Sequence, residues 1–114
     1  MSIPGAALIW CPFPDETSAA TAARTLLDER LVACANLLPG VRSLYLWQGE
    51  RGEAREVVAV FKTAAALLTA AVERLATLHP YDTPAIAGWR CDAAAEATLD
   101  WLAGLDGGPS GFKV

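Results

Sequence analysis

Hydrophobic and polar positions along this chain change period several times, and each change marks an element. Ala6-Ala7-Leu8-Ile9-Trp10-Cys11 is an unbroken apolar run, the pattern of a short buried strand, stopped by Pro12-Phe13-Pro14. Asp15 is a good N-cap, and Ala19, Ala22, Ala23, Leu26, Leu27 and Leu31 then recur at helical spacing around a helix ending near Arg30. Val32 to Trp47 is strand-like, broken only by Pro39-Gly40, which marks a bulge or bend because proline cannot donate to a ladder. Beyond the break, Val41, Ser43, Tyr45 and Trp47 share one face and Leu44 and Leu46 the other. A polar turn, Gln48 to Gly52, returns the chain as Arg55 to Lys62, so a long hairpin runs from about Ala33 to Thr63.

Thr63 is placed to cap a second helix, about Ala64 to Leu78, with Leu68, Val72 or Ala71, Leu75 and Leu78 inward. Two prolines make His79-Pro80-Tyr81-Asp82-Thr83-Pro84 a structured loop, since each biases the residue before it toward extended geometry. Ala85 to Cys91 reads as a last strand, and Asp92 as the cap of a short helix through Leu99, Trp101 and Leu102. The order βαββαβ is that of an α+β, ferredoxin-like sandwich with a long β2–β3 hairpin and a short C-terminal helix. Both main helices then lie on one face of the sheet. Val57, Ala59 and Phe61 point one way and Val58 and Val60 the other, so the second face also wants cover, from a third helix or a second subunit. The expectation is a homo-oligomer of closed symmetry.

Composition narrows the picture. The 114 residues suit one domain spanning 1–114, with an ordered core of about 6–104 and a glycine-rich, mobile tail over 105–114. No apolar run is long enough to span a bilayer and no signal-peptide pattern is present, so no membrane partner and a cytoplasmic location are expected. The net charge of −4, with Arg and Lys scattered among carboxylates, argues against nucleic acid as a partner. The three cysteines, Cys11, Cys34 and Cys91, form no CxxC pair and are expected to be reduced thiols.

Candidate chemistry is sparse. His79, the one histidine, is either a structural loop residue or a metal-binding or proton-transfer group. Cys11 is either a small buried hydrophobe or, paired with His79, half of a soft site for copper. Tyr45, Trp47, Tyr81, Trp89 and Trp101 serve packing or line a ligand pocket. No phosphate-binding glycine loop and no nucleophile–base pair can be read, so the chain is not expected to be an enzyme.

In combination the motifs are specific. Cys11-Pro12-x-Pro14-Asp15-Glu16, Leu31-Val32-Ala33-Cys34-Ala35-Asn36, Pro39-Gly40-Val41, Ser43-Leu44-Tyr45-x-Trp47-x-Gly49, Glu56-Val57, Lys62-Thr63 and His79-Pro80-Tyr81-x-Thr83-Pro84 occur in this order. The chain resembles the CutA family of divalent-cation tolerance proteins from about Ala7 to Leu102. The resemblance implies a ferredoxin-like homotrimer whose hairpins pair between subunits, and a link to tolerance of copper and other divalent cations without an established reaction. It also implies a likeness to the trimeric PII signalling proteins. Under that alternative reading, the chain is a sensor or adaptor that takes a small anionic ligand between subunits and reports to a signalling partner. Arg42, Lys62, Tyr45 and Trp47 would be its contacts, with Tyr81 a further ligand or interface candidate. The metal site implied by the resemblance draws on Cys11 and His79. Leu78, Ala85 and Gln48 stand where some family members carry further ligands or charges.

Overall fold

The computed structural model describes residues 4–106. Strand β1 (Ala6–Phe13) leads to helix α1 (Glu16–Asp28), then to β2 (Cys34–Trp47) and β3 (Glu50–Ala64). A 3-10 turn (Ala65–Leu67) enters α2 (Leu68–Leu78), followed by β4 (Ala87–Arg90), α3 (Glu96–Ala103) and a closing 3-10 turn (Gly104–Asp106). The sheet order is β2-β3-β1-β4 and every neighbouring pair is antiparallel. The fold is ferredoxin-like, as the element order predicts. The expected mobile tail falls, from residue 107 on, outside the described residues.

Successive side chains of a strand point to opposite faces, and directly paired residues share a face. Ala7, Ile9, Cys11 and Phe13 of β1, with Ala59 and Phe61 of β3, therefore form the floor of the core. Ala19, Ala22, Ala23 and Leu26 of α1 and Leu68, Ala71 and Leu75 of α2 close over it. Alanines on α1 let the helix approach the sheet closely. Gly88 does the same for α2, because a Cβ there would meet Leu68 Cδ1 at 2.7 Å. Val72 and Leu78 are only partly buried, so Ala71 is the inward residue of its pair.

Four local expectations give way to packing. Strand β1 continues through Pro12, which pairs with Val58. Its missing N–H costs nothing there because β4 pairs with β1 only up to Trp10. The same strand is not buried on both faces, since Trp10 points away from the helices and is exposed. Thr63 caps no helix. It is buried in β3, and its hydroxyl donates to the Leu31 carbonyl at 2.7 Å. Asp92 is likewise not the cap of α3, whose preceding residue is Ala95, without a side-chain cap.

Asp15 does cap α1, accepting from the Ser18 N–H at 2.7 Å, and this holds its carboxyl below the usual range. Helix α3 packs on β1 and β3, and its Leu102 is buried outside the α1–α2 core. Arg30 holds the end of α3, donating to the carbonyls of Gly104 (2.8 Å) and Leu105 (3.1 Å).

The hairpin leaves the sheet. Pairing of β1 with β3 ends at Phe13–Val57, so Val41–Trp47 and Glu50–Glu56 pair only with each other. The register shift lies between Leu38 and Val41, where Pro39-Gly40 stands and Gly40 has φ +70°. This bulge reverses the parity of β2: Ala35 and Leu37 lean on the core, whereas Val41, Ser43, Tyr45 and Trp47 share the face away from the helices. The tip is a two-residue turn, Gln48-Gly49, with φ of 50° and 81°, tighter than the five-residue turn the polar run suggests.

Candidate functional site

The loop after α2 is built around His79. Pro80 keeps His79 extended (φ −76°, ψ 140°), which turns the ring back toward the end of β1. Its Nε2 lies 2.7 Å from the Pro12 carbonyl, and its Nδ1 accepts the Tyr81 N–H at 3.1 Å. A nitrogen that accepts carries no proton, so the proton sits on Nε2, which donates to Pro12. The ring also stacks on Phe13, with centroids 4.4 Å apart and planes at 22°. His79 thus joins strand, helix end and loop.

From that anchor, Tyr81 reaches the hairpin. Its hydroxyl donates to Glu56 Oε2 at 2.9 Å, and burial together with the Glu56 carboxylate pushes its pKa up to about 12. Between loop and hairpin opens a cleft of about 600 Å³. Ser43, Tyr45, Trp47 and Glu56 line it from the hairpin, Asp82, Thr83 and Pro84 from the loop, with Pro12 and Tyr81. The Tyr45 ring lies across Gly52, its cross-strand partner, where any Cβ would collide with it. Among the described residues, no lysine, arginine or histidine lines the cleft.

The structure therefore brings Tyr45, Trp47 and Tyr81 together at one site. Lys62 lies elsewhere, donating to Asn36 Oδ1 at 3.2 Å, and Arg42 pairs with Glu53 at 2.8 Å on the opposite hairpin face. Cys11 points into the core and is fully buried. Burial, then the nearby Glu56 charge, raise its thiol from 9.0 to about 12, so it is a neutral thiol at neutral pH.

The family model described as CutA1 divalent ion tolerance protein matches residues 7–104 of the chain. The chain belongs to the CutA1 family. Its relatives include the divalent-cation tolerance protein CutA of Pyrococcus horikoshii, 44% identical over 95 residues, covering 83% of this chain and 92% of that protein. The crystal structure of CutA1 from Ehrlichia chaffeensis superposes with a TM-score of 0.83 at 29% identity, covering 91% of this chain and 97% of the other. A CutA structure from Archaeoglobus fulgidus, described as periplasmic, superposes with a TM-score of 0.82 at 26% identity, covering 88% and 97%. In this CutA1 chain, no described helix is long and apolar enough to cross a membrane.

Copper ligation by Cys11 and His79 does not fit these residues as they stand. A thiolate ligand must be deprotonated and reachable, and Cys11 is neither. Both His79 nitrogens already hold backbone groups. Among the described residues no group of three or more His, Cys, Asp or Glu could hold a metal ion.

Neither carboxylate of the cleft is among the site candidates read from the sequence: Glu56 stands there only within the Glu56-Val57 element, and Asp82 within the loop. The signal for Glu56 was the turn: a two-residue loop at Gln48-Gly49 pairs Tyr45 with Gly52, and the register then sets Val41 opposite Glu56 on the aromatic face. Asp82 depends on where the loop lies, and no spacing rule reports that.

Proposed function

We propose that this chain is a non-enzymatic, cytoplasmic protein of divalent-cation tolerance that works as a homotrimer. The cation link comes from the family. What supports assembly is the hairpin arm. A two-stranded ribbon without a core behind it is marginal in water, yet this one carries Leu44 at 68% and Leu46 at 71% exposure. Its two faces also differ. One bears Tyr45, Trp47, Glu50 and Glu56, the other Arg42, Arg51 and Arg55 with the leucines and Glu53, which pairs with Arg42. Unlike faces suit head-to-tail contacts, which form a closed ring where the rotation between copies closes.

Tolerance is here assigned to the assembly rather than to a copper ion on Cys11 and His79. The test is growth of a bacterium lacking its own family member across a copper(II) series, with zinc and cobalt as companions. The full chain is expected to restore growth, and Cys11→Ala to do so equally well. Growth no better than with empty vector, at equal protein level, would overturn the cation reading. Restoration lost in Cys11→Ala, with the trimer intact, would return the role to direct ligation.

A further inference from the structure

We infer that the cleft between the hairpin and the Tyr81–Ala85 loop is a socket for the opposite hairpin face of a second copy of this chain, whose Arg51 and Arg55 meet Glu50, Glu56 and Asp82. This rests on the homotrimer reading and adds to it the two surfaces that touch. Tyr45, Trp47, Glu50 and Glu56 share one side of the ribbon, and Leu44, Leu46, Arg51 and Arg55 share the other. Socket and plug are thus the two sides of a single arm. No chain can bring its plug into its own socket, so the occupant comes from another copy. The lining is mixed, with Ser43, Ala54, Thr83 and Ala85 standing between the rings and the carboxylates. Leu46 also borders the cleft, although the register turns its side chain to the plug side. Such a mixture of rings, methyl groups, hydroxyls and charges suits the side-chain layer of another protein surface.

Charge decides which faces meet. Arg42 is held by Glu53, whereas Arg51 and Arg55 are exposed and form no ion pair among the described residues. In the socket, Tyr81 occupies Oε2 of Glu56, and Glu50 and Asp82 form no ion pair among the described residues. Socket against socket would set three carboxylates against their own kind, and plug against plug would do the same with the arginines. Socket against plug pairs opposite charges. Arginine suits the place, because its guanidinium plane stacks on an aromatic ring while its N–H fork takes a carboxylate. Leu44, exposed on the plug, gains the rings as apolar cover. A space of about 600 Å³ holds a few side chains and no strand, so the two ribbons meet through side chains. Each copy carries one socket and one plug, and a closed head-to-tail ring leaves none unfilled.

Charge exchange provides the test. Glu50→Arg with Asp82→Arg reverses the socket, and Arg51→Glu with Arg55→Glu reverses the plug. Neither pair touches Glu56 or its bond to Tyr81. The readout is the protein concentration at half-dissociation, from sedimentation velocity of the full chain at one fixed, subdenaturing urea concentration. Each reversal alone is expected to raise it by about tenfold or more, since like charges facing across an interface are strongly unfavourable. All four substitutions together should return it to within about threefold of the wild type, the scale on which separate substitutions fail to add. That recovery also separates lost contact from lost folding, which a single reversal cannot do. Reversals that leave a wild-type trimer unchanged would overturn the pairing and spare the homotrimer reading. A quadruple variant no better assembled than the worse single reversal would overturn the pairing too. A monomeric wild type overturns both readings at once.

Discussion

Cys11 and Pro12 are neighbours in β1 with different roles, because consecutive strand residues face opposite sides. Cys11 turns into the core beside Ala59, while Pro12 offers its carbonyl to His79 and borders the aromatic cleft. The raised thiol pKa of Cys11 has a consequence for stability. Below pH 9.0 the thiol is protonated in both folded and unfolded chains. Between 9.0 and about 12 only the unfolded chain ionises, so unfolding releases a proton and stability falls as pH rises. The slope from this one group is at most about 1.4 kcal/mol per pH unit. Urea unfolding at pH 8, 9, 10 and 11 should show a steeper loss for the wild type than for Cys11→Ala. Parallel losses would contradict the buried, protonated thiol. His79 shows how far residue type alone can lead. A lone histidine before proline is compatible with metal binding or with structure, and only the partners on its two nitrogens separate them.

At the scale of elements, the hairpin is the part whose details matter most. A break at Pro39-Gly40 was legible from the residues, because proline cannot stay in a central ladder. Its effect on parity was not, since a bulge changes which face the following residues share only relative to a known partner strand. The reversal is what carries Tyr45 and Trp47 to the open face and makes a cleft with the Tyr81 loop. Gly52 is the sensitive point in that arrangement. Its Cβ would strike the far end of the Tyr45 side chain, which is free to swing, rather than backbone. Gly52→Ala should therefore change stability by less than about 1 kcal/mol and displace the Tyr45 ring. Thermal denaturation together with a crystal structure of the variant checks both parts. Tyr45 unmoved in Gly52→Ala would show the packing to be looser than described. Helix caps behaved in the opposite way, with Asp15 readable from sequence and Thr63 and Asp92 misleading. A residue type suited to capping says nothing of whether the strand before it runs on.

For the whole molecule, shape is the dominant fact. The described chain measures 47 × 26 × 23 Å, and the hairpin extends beyond the four-stranded sheet. On the sheet proper, Trp10 and Trp89 also stand exposed on the side away from α1 and α2, which α3 covers only in part. Assembly would hide this surface and the hairpin leucines together. Sedimentation equilibrium of the wild type is expected to give three times the chain mass. The double variant Leu44→Lys, Leu46→Lys should shift it toward monomer and lower the melting temperature, with a melting temperature that now depends less on protein concentration. A wild type that sediments as monomer at micromolar concentration removes the trimer.

The amino-acid sequence by itself determined the element order, the break in β2, the capped start of α1, the sheet-and-helix core and the family. These follow from local periodicity and from residues whose backbone preferences act over a few positions. The tertiary structure decided the rest. It set Cys11 inward and closed both nitrogens of His79, and it sent Lys62 and Arg42 away from Tyr45 and Trp47. It also gathered Glu56, Asp82 and three aromatic rings from separate segments around one space. Such juxtapositions depend on register and loop path, which arise from the packing of the folded chain and leave no mark in the spacing of the residues that meet.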